Sequence, residues 1–264
     1  MNIFLRELKA GLKSLLIWSV IVILFIVVAL SKFQAYYQNP EMLKLLDAMP
    51  PAMLAAFSFE AFNLTTVTGF YGLMFSYFAL VLAIAAAMWG SDIISKEERD
   101  KTVEFSLTLP VTRSRVVTAK AAAALANCIL LLLVTWGISA ASVLRYASEP
   151  GFSRFLGLCM LALFITEVVF LAVGILLGCA LKRYRRAGSL AVSILLGTFF
   201  LSVIANMNED LDWLKYLTPF KYFDAGLILR NSRLDPLFVG LSLGIIIVCM
   251  VGAYTAYARR DLYV

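Results

Sequence analysis

An all-α integral membrane fold with six transmembrane helices is the class this sequence predicts, and three observations predict it. Of 264 residues, 62% are apolar and 15% charged, whereas a soluble domain runs nearer half apolar and a quarter charged. The apolar residues are gathered into long blocks instead of recurring at helix or strand period. Six blocks reach the roughly 20 residues that cross about 30 Å of hydrocarbon at 1.5 Å per residue. In lipid an unpaired backbone group is too costly for anything but a helix or a closed barrel, and a barrel would show shorter alternating strands.

The elements follow in chain order. Residues 1–14, MNIFLRELKAGLKS, set Ile3, Phe4, Leu8 and Leu12 near one helical face and Arg6, Glu7, Lys9 and Lys13 towards the others. This predicts an amphipathic helix at the membrane interface; a plain basic flank to the span is the simpler alternative. Span one, 15–31, is long and followed by SKFQAYYQNP without a small-residue cleavage pattern, so it is expected to stay in the mature protein. The stretch before span two is apolar and broken by Pro40, Pro50 and Pro51. Short helices are expected there over 41–48 and 52–62, at the outer surface.

Span two, 69–90, opens into the densely charged segment GSDIISKEERDKTVEFSLTLPVTRSRVVTAK, 90–120. Ser95 with Glu98 reads as a capping box and Glu97 with Lys101 has the supportive i, i+4 spacing, so a short solvated helix should begin there. Val103, Phe105, Leu107 and Leu109 then lead back to the membrane surface before Pro110. A partner docking on 96–104 would move spans two and three as a lever; a loop that merely obeys the positive-inside rule is the plain alternative. Spans three to six follow at 121–144, 155–181, 189–207 and 237–258. Span four holds Glu167, the one ionisable residue deep within a span, read either as a pathway or ion contact or as an interhelical hydrogen bond. Gly174 and Gly178 in the same span have a spacing that permits close helix approach. Between spans five and six, Trp213, Tyr216, Pro219, Phe220, Tyr222 and Phe223 form an aromatic segment expected to fold as short helices at the outer face, capping a pathway or anchoring at headgroup level.

Orientation follows from Lys and Arg. Arg6, Lys9, Lys13, Lys96, Arg99, Lys101, Arg113, Arg115, Lys120, Lys182, Arg183, Arg185, Arg186, Arg259 and Arg260 fall on one side. That side, with both termini, is expected to be cytoplasmic. The net charge of +6 is thus explained by topology and anionic lipid, and nucleic-acid binding is excluded for want of a soluble basic domain. The chain has no histidine, and its four cysteines, Cys128, Cys159, Cys179 and Cys249, form no CxxC. They read as packing residues, with no metal site and no catalytic residue. No P-loop and no G-x-G-x-x-G occurs, so any ATP-driven work needs another polypeptide.

Three segments taken together, RELKAGLKSLLIWS at the start, SKEERDKTVEFSLTLPVTRSR after span two and WLKYLTPFKYFDAG before span six, resemble the permease subunits of ABC-2 type bacterial ABC transporters. The resemblance spans essentially the whole chain. It implies a permease that dimerises with a second copy or a related chain in the bacterial cytoplasmic membrane. It also implies a separate cytoplasmic ATPase that binds ATP and magnesium and docks on a coupling helix. Carried over, the ATPase contact would be Lys96, Glu97, Glu98, Arg99, Asp100, Lys101, Thr102 and Glu104. Many such permeases have glycine where this chain has Lys101, which implies a less sharply turned helix. The expected function is an ATP-driven exporter, since nothing suggests a docking site for an external binding protein. An ion-gradient-driven secondary transporter is the alternative, for which Glu167 is the supporting feature, although no internal repeat is evident. A non-transporting scaffold or an intramembrane enzyme is disfavoured by the absence of paired polar constellations.

Overall fold

A computed structural model describes residues 3–37, 39, 50, 54, 62–99, 112–146, 149–181, 184–207 and 209–259. Among them the regular structure is helical: α1 Ile3–Phe33, α2 Val67–Arg99, α3 Arg113–Val143, α4 Phe152–Ala180, α5 Tyr184–Met207, a 3₁₀ stretch Glu209–Tyr216, α6 Pro219–Tyr222, α7 Ala225–Asn231 and α8 Pro236–Ala258. Six of them, α1 to α5 and α8, are long and apolar enough to cross a membrane. The all-α, six-span class is therefore observed, and the chain is a multi-pass membrane protein.

The helices alternate between two ends of one bundle. We call the end where α1 begins the base and the opposite end the crown. At the base, Trp89 Nε1 of α2 donates to Ser14 Oγ of α1 at 2.9 Å, and Arg113 Nη1 of α3 donates to the last carbonyls of α8, Tyr257 O at 3.3 Å and Ala258 O at 3.1 Å. At the crown, Tyr146 Oη donates to Leu30 O of α1 at 3.2 Å. Burial places α2 and α4 in the centre, since 67% and 61% of their apolar stretches are buried against 22–33% for the other four. Around this pair α1 lies mainly on α3, α5 on α2 and α8 on α4.

The central pair is parallel and unusually close. A Cβ added at Gly174 would lie 2.5 Å from the Ala87 carbonyl oxygen, one at Gly178 would lie 2.9 Å from that of Ser91, and one at Gly90 would collide with the Leu171 carbonyl. Small residues let backbones meet where lipid offers no hydrophobic drive for association. Gly90 thus serves packing, and the helix runs on past it to Arg99.

Two local expectations change at the base. Residues 3–14 are helical but form the opening turns of α1 itself, continuous with the span, because no proline interrupts the stretch and Gly11 leaves room for the Asn127 side chain. Ser95 is not an N-cap. It lies inside α2, where its Oγ donates to Ser91 O at 2.6 Å, the i−4 back-bond of a hydroxyl in a helix interior. The capping-box reading fails because nothing between Val67 and Arg99 stops the helix that is already running. The helices expected over 41–48 and 52–62 lie outside the described residues, apart from isolated positions.

The crown is held by side-chain caps. Glu149, in the turn before α4, accepts from Val67 N at 2.7 Å and Thr68 N at 3.0 Å, capping the N-terminus of α2 from across the bundle. A carboxylate there satisfies orphan N–H groups and complements the helix dipole. Asp224 caps α7 through Gly226 N and Leu227 N. Asp235 caps α8 through Leu237 N at 2.9 Å, with Pro236 in the first turn.

Candidate functional site at the base and its lever

The base is built around the end of α2, which continues beyond Gly90 as one rod to Arg99. Glu7 of α1 is 2% exposed and faces this rod. Its Oε1 accepts from Arg6 Nη2 at 3.0 Å, and Lys96 Nζ of α2 is ion-paired with its Oε2. Arg6 and Lys96 stay partly in solvent, with 36% and 20% of their side-chain surface exposed. The anion is therefore buried between two cations that keep some hydration. From α3, Lys120 also reaches the rod: it is 1% exposed and its Nζ donates to Ile93 O at 3.0 Å. Its apolar stem is buried against α2 and its ammonium serves a carbonyl near the helix end, a favourable place for a cation. Braced by α1, by α3 and by the glycine seam on α4, the end of α2 cannot swing freely. A push on it must move its neighbours.

Beside this brace lies an open cleft of about 740 Å³ between α1, α2 and α5, lined by Trp18, Trp89 and hydroxyls that include Ser14, Ser91, Ser189 and Ser193. Polar lining at the base end of apolar helices is expected where a bundle surface meets headgroups or a pathway mouth.

The sequence-derived contact residues fall as follows. Lys96 is engaged within the chain by Glu7. Glu97, Glu98 and Arg99 form the last turn of α2. Asp100, Lys101, Thr102 and Glu104 lie outside the described residues. Glu167 sits near the middle of α4, 1% exposed, and neither carboxyl oxygen has a hydrogen-bond partner among the described residues. Of the two readings open for Glu167, an interhelical bond to a Ser or Thr is not found among the described residues, and the neighbouring Thr166 Oγ1 donates to Ala162 O within its own helix at 3.0 Å.

The aromatic segment at the crown divides into a plug and a rim. Phe220 wedges between Phe170 and Phe199, with ring centroids 5.1 and 5.4 Å away. Tyr222 stacks on Phe238 at 5.2 Å and donates its hydroxyl to Tyr216 O at 2.7 Å; burial pushes its phenol up from the ordinary value, so it remains a donor. Pro219 and Phe223 are buried beside them. Thr218 Oγ1 ties the segment to Thr198 O of α5 at 2.9 Å. Trp213 and Tyr216, 57% and 49% exposed, form the outer rim.

Sequence reasoning missed Glu7 and Glu149. The charged neighbours of Glu7 disguised it as a solvated position, and only its i+4 and i+3 spacing from Ile3 and Phe4 hinted that it borders the apolar face. Glu149 carries no local signal at all.

No curated protein matches the chain. A family model described as ABC-2 family transporter protein matches residues 1–262. With six apolar helices, no ATP-binding motif and a match over nearly its full length, the chain belongs to the ABC-2 family of transporter proteins as a membrane permease.

Proposed function

We propose that this chain is the translocating subunit of an exporter driven by a separate cytoplasmic ATPase, with the base in the cytoplasm of a bacterial membrane and a second permease copy completing the pathway. The observation that carries the reading is the braced rod of α2, which runs from the crown to Arg99 and leads directly into the segment 100–104. Family membership supports an ATPase partner, the Lys and Arg asymmetry supports the orientation, and the missing P-loop assigns ATP and magnesium to the partner. In this mechanism closure of paired ATPases pushes on Glu97 to Glu104. The brace passes the push to α1 through Glu7 and Lys96, to α3 through Lys120 and to α4 through the glycine seam. The bundle then moves as a unit, and the crown plug around Phe220 gives way.

The test is co-expression with the P-loop ATPase expected in the neighbouring reading frame. The two should co-purify, and ATPase activity should appear only with the partner. Glu167, with no hydrogen-bond partner among the described residues, favours a second reading, transport driven by an ion gradient. Gradient-driven flux by the isolated chain in liposomes would select it.

A further inference from the structure

Between the crown ends of α1 and α3 lies a cleft of about 570 Å³. Along it stand the apolar Val27 and Leu30 of α1 and Ile138 and Ala141 of α3, with Ser31 and Ser142 among them; towards the crown stand Gln34, just beyond the end of α1, and Arg145, just beyond the end of α3. Along α1 the change from Val27 to Gln34 takes about 10 Å at 1.5 Å per residue, the scale on which a lipid passes from acyl chain to headgroup. Neither the Arg145 guanidinium nor the Gln34 amide makes a hydrogen bond or ion pair among the described residues. The described carboxylates of the crown are engaged elsewhere: Glu149 caps α2, Asp224 caps α7, Asp235 caps α8, Asp212 pairs with Lys215, and Asp210 too has a partner. Beside the cleft, rings fix the two helix ends against each other, Tyr146 lying 4.9 Å from Phe33 and 5.0 Å from Tyr37, with the Tyr146 hydroxyl on Leu30 O. The opening is thus a rigid amphipathic slot with one unanswered positive charge at its mouth.

We propose that this slot binds an anionic phospholipid, the phosphate held by Arg145 and Gln34 and one acyl chain lying against Val27, Leu30, Ile138 and Ala141. A planar guanidinium matches a phosphate with paired donors, and an interfacial cation attracts anionic headgroups. A lipid accounts for the apolar residues of the slot as well as for its charge. The site is independent of how transport is powered.

The test is thermal unfolding and native mass spectrometry of the purified protein in neutral detergent, titrated with phosphatidylglycerol, with phosphatidylcholine of the same chains, and with inorganic phosphate. Phosphatidylglycerol should stabilise the protein and remain attached in the gas phase, while the other two do neither. Arg145→Gln should weaken phosphatidylglycerol binding by about tenfold, the worth of one charge-assisted contact, and Arg145→Lys should recover part of it. Ala141→Trp, which fills the apolar wall without changing charge, should weaken it too. Arg154→Gln, at the same end, should leave it intact, because Arg154 is occupied with Ser232 O at 3.3 Å. Equal responses to both lipids, equal stabilisation by inorganic phosphate, or unaltered binding in Arg145→Gln and Ala141→Trp would each overturn the proposal. So would an Arg145→Cys disulfide between two copies that excludes the lipid, which would make the slot a contact surface between permeases.

Discussion

A carboxylate buried at the base of a membrane bundle is tolerable only in company, and Glu7 keeps one cation on its own helix and another on α2. Removing one partner of a buried pair leaves the other charge uncompensated. Breaking a fully buried pair costs about 3–5 kcal/mol; because Arg6 and Lys96 retain solvent, the loss here should be smaller, about 1–3 kcal/mol. Glu7→Ala and Lys96→Ala should each lower the melting temperature and uncouple the partner ATPase, and the exchanged pair Glu7→Lys with Lys96→Glu should restore much of both. A double-mutant cycle read in stability and in permease-stimulated ATPase activity checks this; additive losses in both would show that the contact transmits nothing. At this scale the sequence is least informative. Its charge counts were right about which end is basic, but whether Glu7 faces water or α2, or whether Lys120 lies at the headgroups or under a helix, depends on neighbours distant in the chain. Glu149 makes the same point, for it caps a helix 82 residues away.

Helices are a different matter, because a run of apolar residues long enough to cross the bilayer has one economical conformation in lipid. All six were legible for that reason. The helix ends were not: span two was closed at 90 because the charged segment begins there, whereas α2 runs on to Arg99 and Gly90 is a packing surface. The spacing of Gly174 and Gly178 did carry a true signal, and it yields opposite expectations at two glycines. An added Cβ at Gly174 meets the Ala87 carbonyl oxygen at 2.5 Å, while one at Gly137 of α3 meets nothing within 4 Å. Gly174→Ala must separate two backbones and should destabilise the protein by about 1–3 kcal/mol, the usual cost of overpacking. Gly137→Ala gains helix propensity worth up to about 1 kcal/mol and should be neutral or stabilising. Thermal unfolding of both in one detergent checks the pair; the same sign at both positions would show that α2 and α4 are not held by close approach.

For the whole molecule the question is where force enters. The bundle is tied together at the base by Glu7, Lys96, Lys120 and Arg113, and at the crown by caps and stacked rings, and α2 and α4, which occupy the centre, touch both sets of ties. The last turn of α2, Glu97 to Arg99, is where that central rod leaves the apolar bundle. If an ATPase seats on this turn and on Asp100 to Glu104, reversing two adjacent charges in it should cost the complex dearly, since an interfacial charge left without its partner loses about 2–5 kcal/mol. Lys96 is not expected to contribute, because Glu7 already holds it. Glu98→Lys combined with Arg99→Glu should therefore give a protein that inserts normally and no longer retains or stimulates its ATPase. Its melting temperature should match the parent, as surface charge changes away from structural contacts usually stay within about 0.5 kcal/mol. Co-purification, ATPase assay and thermal unfolding on that one variant separate the possibilities. A lost complex with unchanged stability supports docking at the end of α2, and an unchanged complex with unchanged turnover moves the docking surface to the opening turns of α1.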